Sequence, residues 1–155
     1  MTGRARRLEQ MLEGVAITLM TLLALVVIVA VVFRKAGASL VWYDEVAETL
    51  LAWLTYYAAC LAALKHAHIG FPRATQGLPP RVRLGLYLIR ETVIIGFFGV
   101  VAWAGWEVLA VLRGTALVSL PWMPASLTQS VIPIGAVLFI VAELVAARER
   151  LAARP

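Results

Sequence analysis

The chain has 155 residues, 62% of them hydrophobic and only 15% charged. That composition excludes an ordinary soluble domain and leaves room for membrane spans, short connections and little else, so no soluble catalytic domain fits. The net charge of +5 collects at the ends of apolar runs rather than in an aromatic-interleaved patch, so it does not point to nucleic acid.

Gly14 to Phe33 is a run of twenty residues without a charge. A helix rising ~1.5 Å per residue needs about 20 apolar residues to cross the ~30 Å hydrocarbon core of a bilayer. Backbone amides in lipid must be satisfied internally, so the run predicts an α-helix. Arg4, Arg6 and Arg7 before it and Ala36-Gly37-Ala38 after it resemble a secretory signal. The run is longer than the apolar core of about 7–15 residues that a signal carries, and Arg34-Lys35 intervene, so a retained first span is expected.

Leu40 to Glu48 mixes Trp42 and Tyr43 with Asp44, Glu45 and Glu48, a composition suited to the headgroup level. It leads into a second span, roughly Val46 to Leu64. Cys60 lies inside that span and reads as a small core residue; a lone cysteine excludes an internal disulfide. Lys65-His66-Ala67-His68 ends the span, and a connection broken by Gly70, Pro72, Gly77, Pro79 and Pro80 follows. The third span runs roughly from Leu86 to Leu109 and closes at Arg113-Gly114. Pro121-Trp122-Met123-Pro124 is apolar but proline-broken, as in an interfacial loop or re-entrant turn. The fourth span runs from Ser126 to about Ala146, with a kink expected at Pro133.

The reading is all-α: one membrane domain over 1–155 with four transmembrane helices near 14–33, 46–64, 86–109 and 126–146, and a short interfacial segment before the second. The tails and the second connection carry ten Lys/Arg, the opposite side only Arg34, Lys35 and Arg113, with Arg90 left out as lying near the start of the third span. That asymmetry places both termini in the cytoplasm. No inverted repeat of the kind that builds transporter cores is evident.

The second span has two faces. Asp44, Glu48, Ala52, Thr55, Ala59, Ala62 and His66 form one stripe; Val46, Leu50, Trp53, Leu54, Tyr57, Leu61 and Leu64 form the other. Small and polar residues favour close protein contact in lipid, so the first stripe is expected to face protein and the second lipid. The protein it faces is the chain's own bundle or a partner. The third span has a similar stripe through Thr92, Gly96, Gly99, Trp103, Trp106, Glu107 and Ala110, suited to helix packing, and Gly96, Gly99, Trp103 and Glu107 join Thr55 and Ala59 as candidates for a partner interface. Trp42, Asp44, Glu45 and Glu48 are candidates for a docking surface, or else anchor and cap the helix.

Charges avoid the span centres. Glu48 and Glu107 lie near outer ends, Arg90-Glu91 and Glu143 near inner ends, so no ion relay is evident. His66 and His68, two apart, diverge on a helix, and no cysteine or carboxylate nearby completes a metal set. They read as interfacial hydrogen-bonding groups, and no metal, haem or other cofactor is expected. A small multidrug exporter would need a buried glutamate in the first span, which has none.

Phe33-Arg34, the Trp-x-x-Glu of Trp42–Glu45, Leu51-Ala52-Trp53-Leu54, Lys65-His66-Ala67-His68-Ile69-Gly70, the proline-basic connection, and Pro124 and Pro133 together resemble one family. It is the small membrane subunit, DctQ-like, of tripartite ATP-independent periplasmic (TRAP) transporters. The resemblance covers nearly the whole chain. Two positions depart from the family pattern: Arg34-Lys35 stands where an Arg-Tyr pair is common, and Phe71-Pro72 where a polar or acidic residue often follows His-Ile. The resemblance implies a non-enzymatic bracing subunit in the bacterial inner membrane. Its implied partners are a large membrane subunit holding substrate and sodium sites and a periplasmic substrate-binding protein. The implied solute is a carboxylate. A structural or regulatory four-helix protein outside the family is the alternative.

Overall fold

The computed structural model describes residues 3–65 and 77–152. Its helices are α1 (Gly3–Lys35), α2 (Tyr43–Leu64), α3 (Pro80–Val111), the short α4 (Ala125–Gln129) and α5 (Val131–Ala152). Four stretches are long and apolar enough to cross a membrane: Arg6–Lys35, Tyr43–Leu64, Arg81–Val111 and Ala125–Arg148. The fold is all-α and multi-pass.

Each helix stops for a local reason. Arg34 and Lys35 occupy the last turn of α1, where a helix C-terminus favours cations. Gly37 then takes a left-handed φ of 78°. Its N–H bonds to the Arg34 carbonyl at 3.2 Å and the next N–H, of Ala38, to Phe33 at 3.0 Å. That pair of bonds is a Schellman ending, which satisfies carbonyls the helix would otherwise leave open. Arg34 also reaches across the break and donates to the Tyr43 hydroxyl at 2.6 Å, tying the end of α1 to the start of α2. α2 opens with Asp44 and Glu45 in its first turn, again matched to the helix dipole. Proline sits at the first position of α3, where a missing N–H costs nothing.

The expected kink at Pro133 is a break three residues earlier. α4 ends, Ser130 intervenes, and α5 begins at Val131. Pro133 cannot donate to the carbonyl of Gln129, and its ring crowds that carbonyl, so the helix restarts instead of bending. Before α4, residues 115–125 fold back on themselves. Leu117 N–H bonds to Met123 at 3.0 Å and Ala125 N–H to Thr115 at 3.0 Å, around a single bridge between Ala116 and Pro124.

α5 packs between α2 and α3, and α1 lies along α2. The core cluster is Leu12, Cys60, Ala63, Leu64, Phe139 and Ala142, with Phe98 of α3 stacked on Phe139 at 4.0 Å between ring centres. Close approach depends on two glycines. A Cβ on Gly135 would fall 2.5 Å from the Tyr56 ring, and one on Gly105 would fall 2.9 Å from Ile132 and Pro133. Neither site admits a larger residue without movement of a backbone.

Candidate functional site

The first feature built by this fold is a loop clamp. The Glu45 carboxylate accepts the Val118 N–H at 3.1 Å through Oε1. Through Oε2 it accepts the Ser119 N–H at 3.1 Å and the Ser119 hydroxyl. Three donors of the loop between α3 and α4 therefore converge on one side chain of α2. Glu45 neither caps its own helix nor stands free, because its oxygens are taken by the chain's own loop. The neighbouring candidates are placed differently. Trp42 precedes the helix in an α-region backbone and makes no side-chain cap, while Asp44 and Glu48 are exposed. The loop holds Val118 and Trp122 outward, at 92% and 78% exposure. Ser119 escapes sequence reading because its partner is 74 positions away.

The second feature is a charged seam at the contact of α3 and α5, its glutamates buried and its arginine part-exposed. Arg90 of α3 donates from one nitrogen to Glu143 of α5 at 2.5 Å and to its neighbour Glu91 at 3.1 Å. Glu143 is 2% exposed, so this bond joins two helices within their apolar length. The Arg90 guanidinium also sits 5.8 Å from the centre of the Tyr87 ring. Two carboxylates share one guanidinium, and the Arg90 Nε and Glu91 Oε2 atoms are buried without a hydrogen-bond partner. Removing one member of such a pair strands a charge in a medium that cannot solvate it. By contrast, Lys65 meets Glu9 at 3.6 Å and Glu13 at 3.4 Å on an exposed surface between α1 and α2, where a pair contributes about 0–1 kcal/mol.

The third feature is the set of outward faces. Asp44, Glu48, Leu51, Thr55 and Ala58 form an exposed stripe along α2 at helical spacing. Thr55 satisfies its hydroxyl on the Leu51 carbonyl at 2.8 Å. Of the predicted stripe, Asp44, Glu48 and Thr55 thus point away from the chain's own bundle, whereas Ala52, Ala59 and Ala62 are half-buried, Ala59 beside the core cluster. The opposite stripe corrects the expectation of a lipid face. Trp53 donates its indole N–H to the Thr128 carbonyl at 3.2 Å, Tyr57 and Leu61 pack against the core, and Leu64 is buried. Large apolar side chains on α2 meet α1 and α5, since hydropathy does not distinguish a helix from a lipid tail as a neighbour.

On α3 the predicted stripe is outward along its length. Nothing lies within 4 Å of a Cβ on Gly96 or Gly99, and Trp103, Trp106 and Glu107 are exposed. The glycines that do bring helices together, Gly105 and Gly135, carry no distinguishing sequence signal. The reading of His66 and His68 lies outside the described residues. Among the described residues no group of three or more His, Cys, Asp or Glu side chains could hold a metal ion.

Residues 23–153 match the family model described as tripartite ATP-independent periplasmic transporters, DctQ component. No curated protein matches the chain.

Proposed function

The chain belongs to the DctQ family of tripartite ATP-independent periplasmic transporter components, and from that premise we propose that it braces the large membrane subunit of such a transporter. On this reading the large subunit moves and carries sodium-coupled uptake of a carboxylate solute. A periplasmic binding protein delivers the solute, and the present chain supplies a fixed wall in the bacterial inner membrane. Both termini lie in the cytoplasm, in line with the basic residues at that end.

One observation carries the bracing role. α1 turns large aliphatic side chains outward, such as Ile17, Met20, Leu25, Ile28 and Val32, whereas the exposed stripe of α2, Leu51 apart, is small or polar: Asp44, Glu48, Thr55 and Ala58. Aliphatic groups suit lipid tails; small and polar ones suit a second helix. The charged contact between α3 and α5 also supports a static role, because Arg90 is held between Glu91 and Glu143.

The test is assembly. Co-expressed with its large subunit, the wild-type chain is expected to co-purify. Ala58→Trp on the α2 stripe is expected to reduce recovery of the partner, and Val29→Trp on the exposed side of α1 to leave it unchanged. Equal recovery with both variants would remove the α2 stripe from the interface. Purified alone into liposomes, the chain is expected to show no sodium-driven uptake. In a Cys60→Ala background, Gly77→Cys and Thr115→Cys are expected to label from opposite faces of the membrane.

A further inference from the structure

Beside the end of α3 the bundle leaves a groove of about 430 Å³. Trp106 and Leu109 of α3 form one wall and Leu127 of α4 the other, and Arg113 and Ser126 also line it. The groove opens because of the break before α5. At Gly105 the two backbones are in tight contact through Ile132 and Pro133. One turn farther along α3 the opposing chain is no longer α5 but the short α4, and the groove lies between them.

We infer that this groove seats a phospholipid, its phosphodiester on Arg113 and Ser126 and the start of one acyl chain against Trp106, Leu109 and Leu127. The polarity of the lining follows that of a lipid. The apolar length of α3 ends at Val111. Arg113 lies just beyond that end and Trp106 seven residues before Arg113, about 10 Å along the axis. The cation therefore stands at headgroup level and the apolar walls stand in the hydrocarbon. Neither Arg113 nor the Ser126 hydroxyl has a hydrogen-bond or ion-pair partner among the described residues, whereas the Ser130 hydroxyl is already held by the Leu127 carbonyl at 2.7 Å. A guanidinium is suited to two phosphate oxygens at once. The walls, left open to the membrane, gain dispersion contacts only if a chain fills them. This inference needs the membrane setting alone and does not depend on the bracing role.

Native mass spectrometry of the detergent-purified chain tests it with three probes. Phosphatidylglycerol has both halves of the ligand, glycerol phosphate only the headgroup, and diacylglycerol only the chains. Phosphatidylglycerol is expected to bind, and each half-ligand to bind at least about tenfold more weakly, since each lacks one set of contacts. Arg113→Gln is expected to weaken phosphatidylglycerol about tenfold, with Arg113→Lys, which keeps the charge but not the two-pronged geometry, falling between it and the wild type. Leu109→Trp, which fills the groove, is expected to weaken it as well. Arg81→Gln, at the other end of α3, is expected to have no effect. Arg113 makes no described bond within the chain, so its variants should melt as the wild type does. Glycerol phosphate competing as well as the lipid would make this a plain anion site and overturn the inference. Equal binding by Arg113→Gln and wild type would overturn it too, as would equal losses in Arg113→Gln and Arg81→Gln. In the assembled complex, a photo-crosslinker at position 109 is expected to capture lipid; capture of the large subunit instead would also overturn it.

Discussion

α1 and α5 invert the rule that the most apolar segment is the most buried. α1 carries the most apolar of the four spans, yet 6% of its most apolar 18 residues are buried, while 44% of the corresponding 18 residues in the less apolar Ala125–Arg148 are buried. In water, burial follows hydropathy because water is the alternative neighbour. In a membrane the alternative neighbour is a lipid tail, so hydropathy decides insertion and leaves packing to shape. α5 is placed by small residues, Gly135, Ala136, Ala142 and Ala146, and by the buried Glu143. The two apolar residues buried among those described on α1 fit the same account: Leu12 joins the core at one end of the bundle, and Ala30 is small.

If the seat of α5 rests on specific groups, removing them should cost far more than trimming α1. The largest effect is expected from Arg90→Met. It leaves Glu143 and Glu91 buried without their counter-ion, a change that costs about 3–5 kcal/mol where both partners are buried and less here, because the Arg90 side chain is part-exposed. Thermal unfolding in detergent should show a large drop, and the double change Arg90→Met with Glu143→Leu should recover part of it. A mild effect of Arg90→Met alone would mean that packing, not the charged seam, fixes α5 against α3.

Next comes Gly135→Leu. The first added carbon would already lie 2.5 Å from the Tyr56 ring, so α2 and α5 must separate. Overpacking of this kind costs about 1–3 kcal/mol. Tyr56→Ala in the same chain should return part of the loss by making room. If the double variant is no better than the single one, the backbone contact rather than the ring sets the limit.

A smaller and local effect is expected at the loop clamp. Glu45→Gln leaves one oxygen to accept where two accepted before, and replaces charge-assisted bonds by neutral ones. The loss should be small and confined to the loop, because the site is partly exposed. It should appear as faster hydrogen exchange at the Val118 and Ser119 amides, with little change in global melting. Unchanged exchange at both amides would show that the bridge between Ala116 and Pro124 holds the loop without Glu45.

Hydropathy and loop charge made the four spans legible, because insertion depends on those quantities alone. The family resemblance was legible from short motifs such as Trp42–Glu45. Packing was not. Gly96 and Gly105 are the same residue on the same helix, yet one faces open space and the other meets α5. Trp53 and Tyr57 looked lipid-facing because an aromatic ring is equally content beside a helix or a tail. The Arg90–Glu143 bond links positions 53 apart. Nothing local to either residue announces the other, and near the inner ends of spans each reads as an interfacial charge. The outward stripe of α2 was visible only in part: Asp44, Glu48 and Thr55 belong to it, but Leu51 and Ala58 take the places expected for Ala52 and Ala59, because the direction of the face depends on where α1 and α5 lie.

The smallest effect, and the sharpest check on the comparison, is expected from Ile28→Ala on α1. Ile28 is 58% exposed in the span, while Ala30, two residues along, is 2% exposed. A buried isoleucine cut to alanine costs about 2–5 kcal/mol, because the surroundings cannot fill the space. At Ile28 the surroundings are lipid tails, which flow into the gap and replace the lost contacts. The purified chain should therefore lose no more than about 0.5 kcal/mol, the range of substitutions that touch nothing fixed. Enlarging Ala30 to leucine should cost more than removing most of Ile28, an order that hydropathy alone would reverse. A loss at Ile28 of core size would mean that this face of α1 is covered by protein even in the isolated chain, through self-association. In that case the loss should shrink on dilution, because binding stabilises by mass action and a second copy would be the ligand.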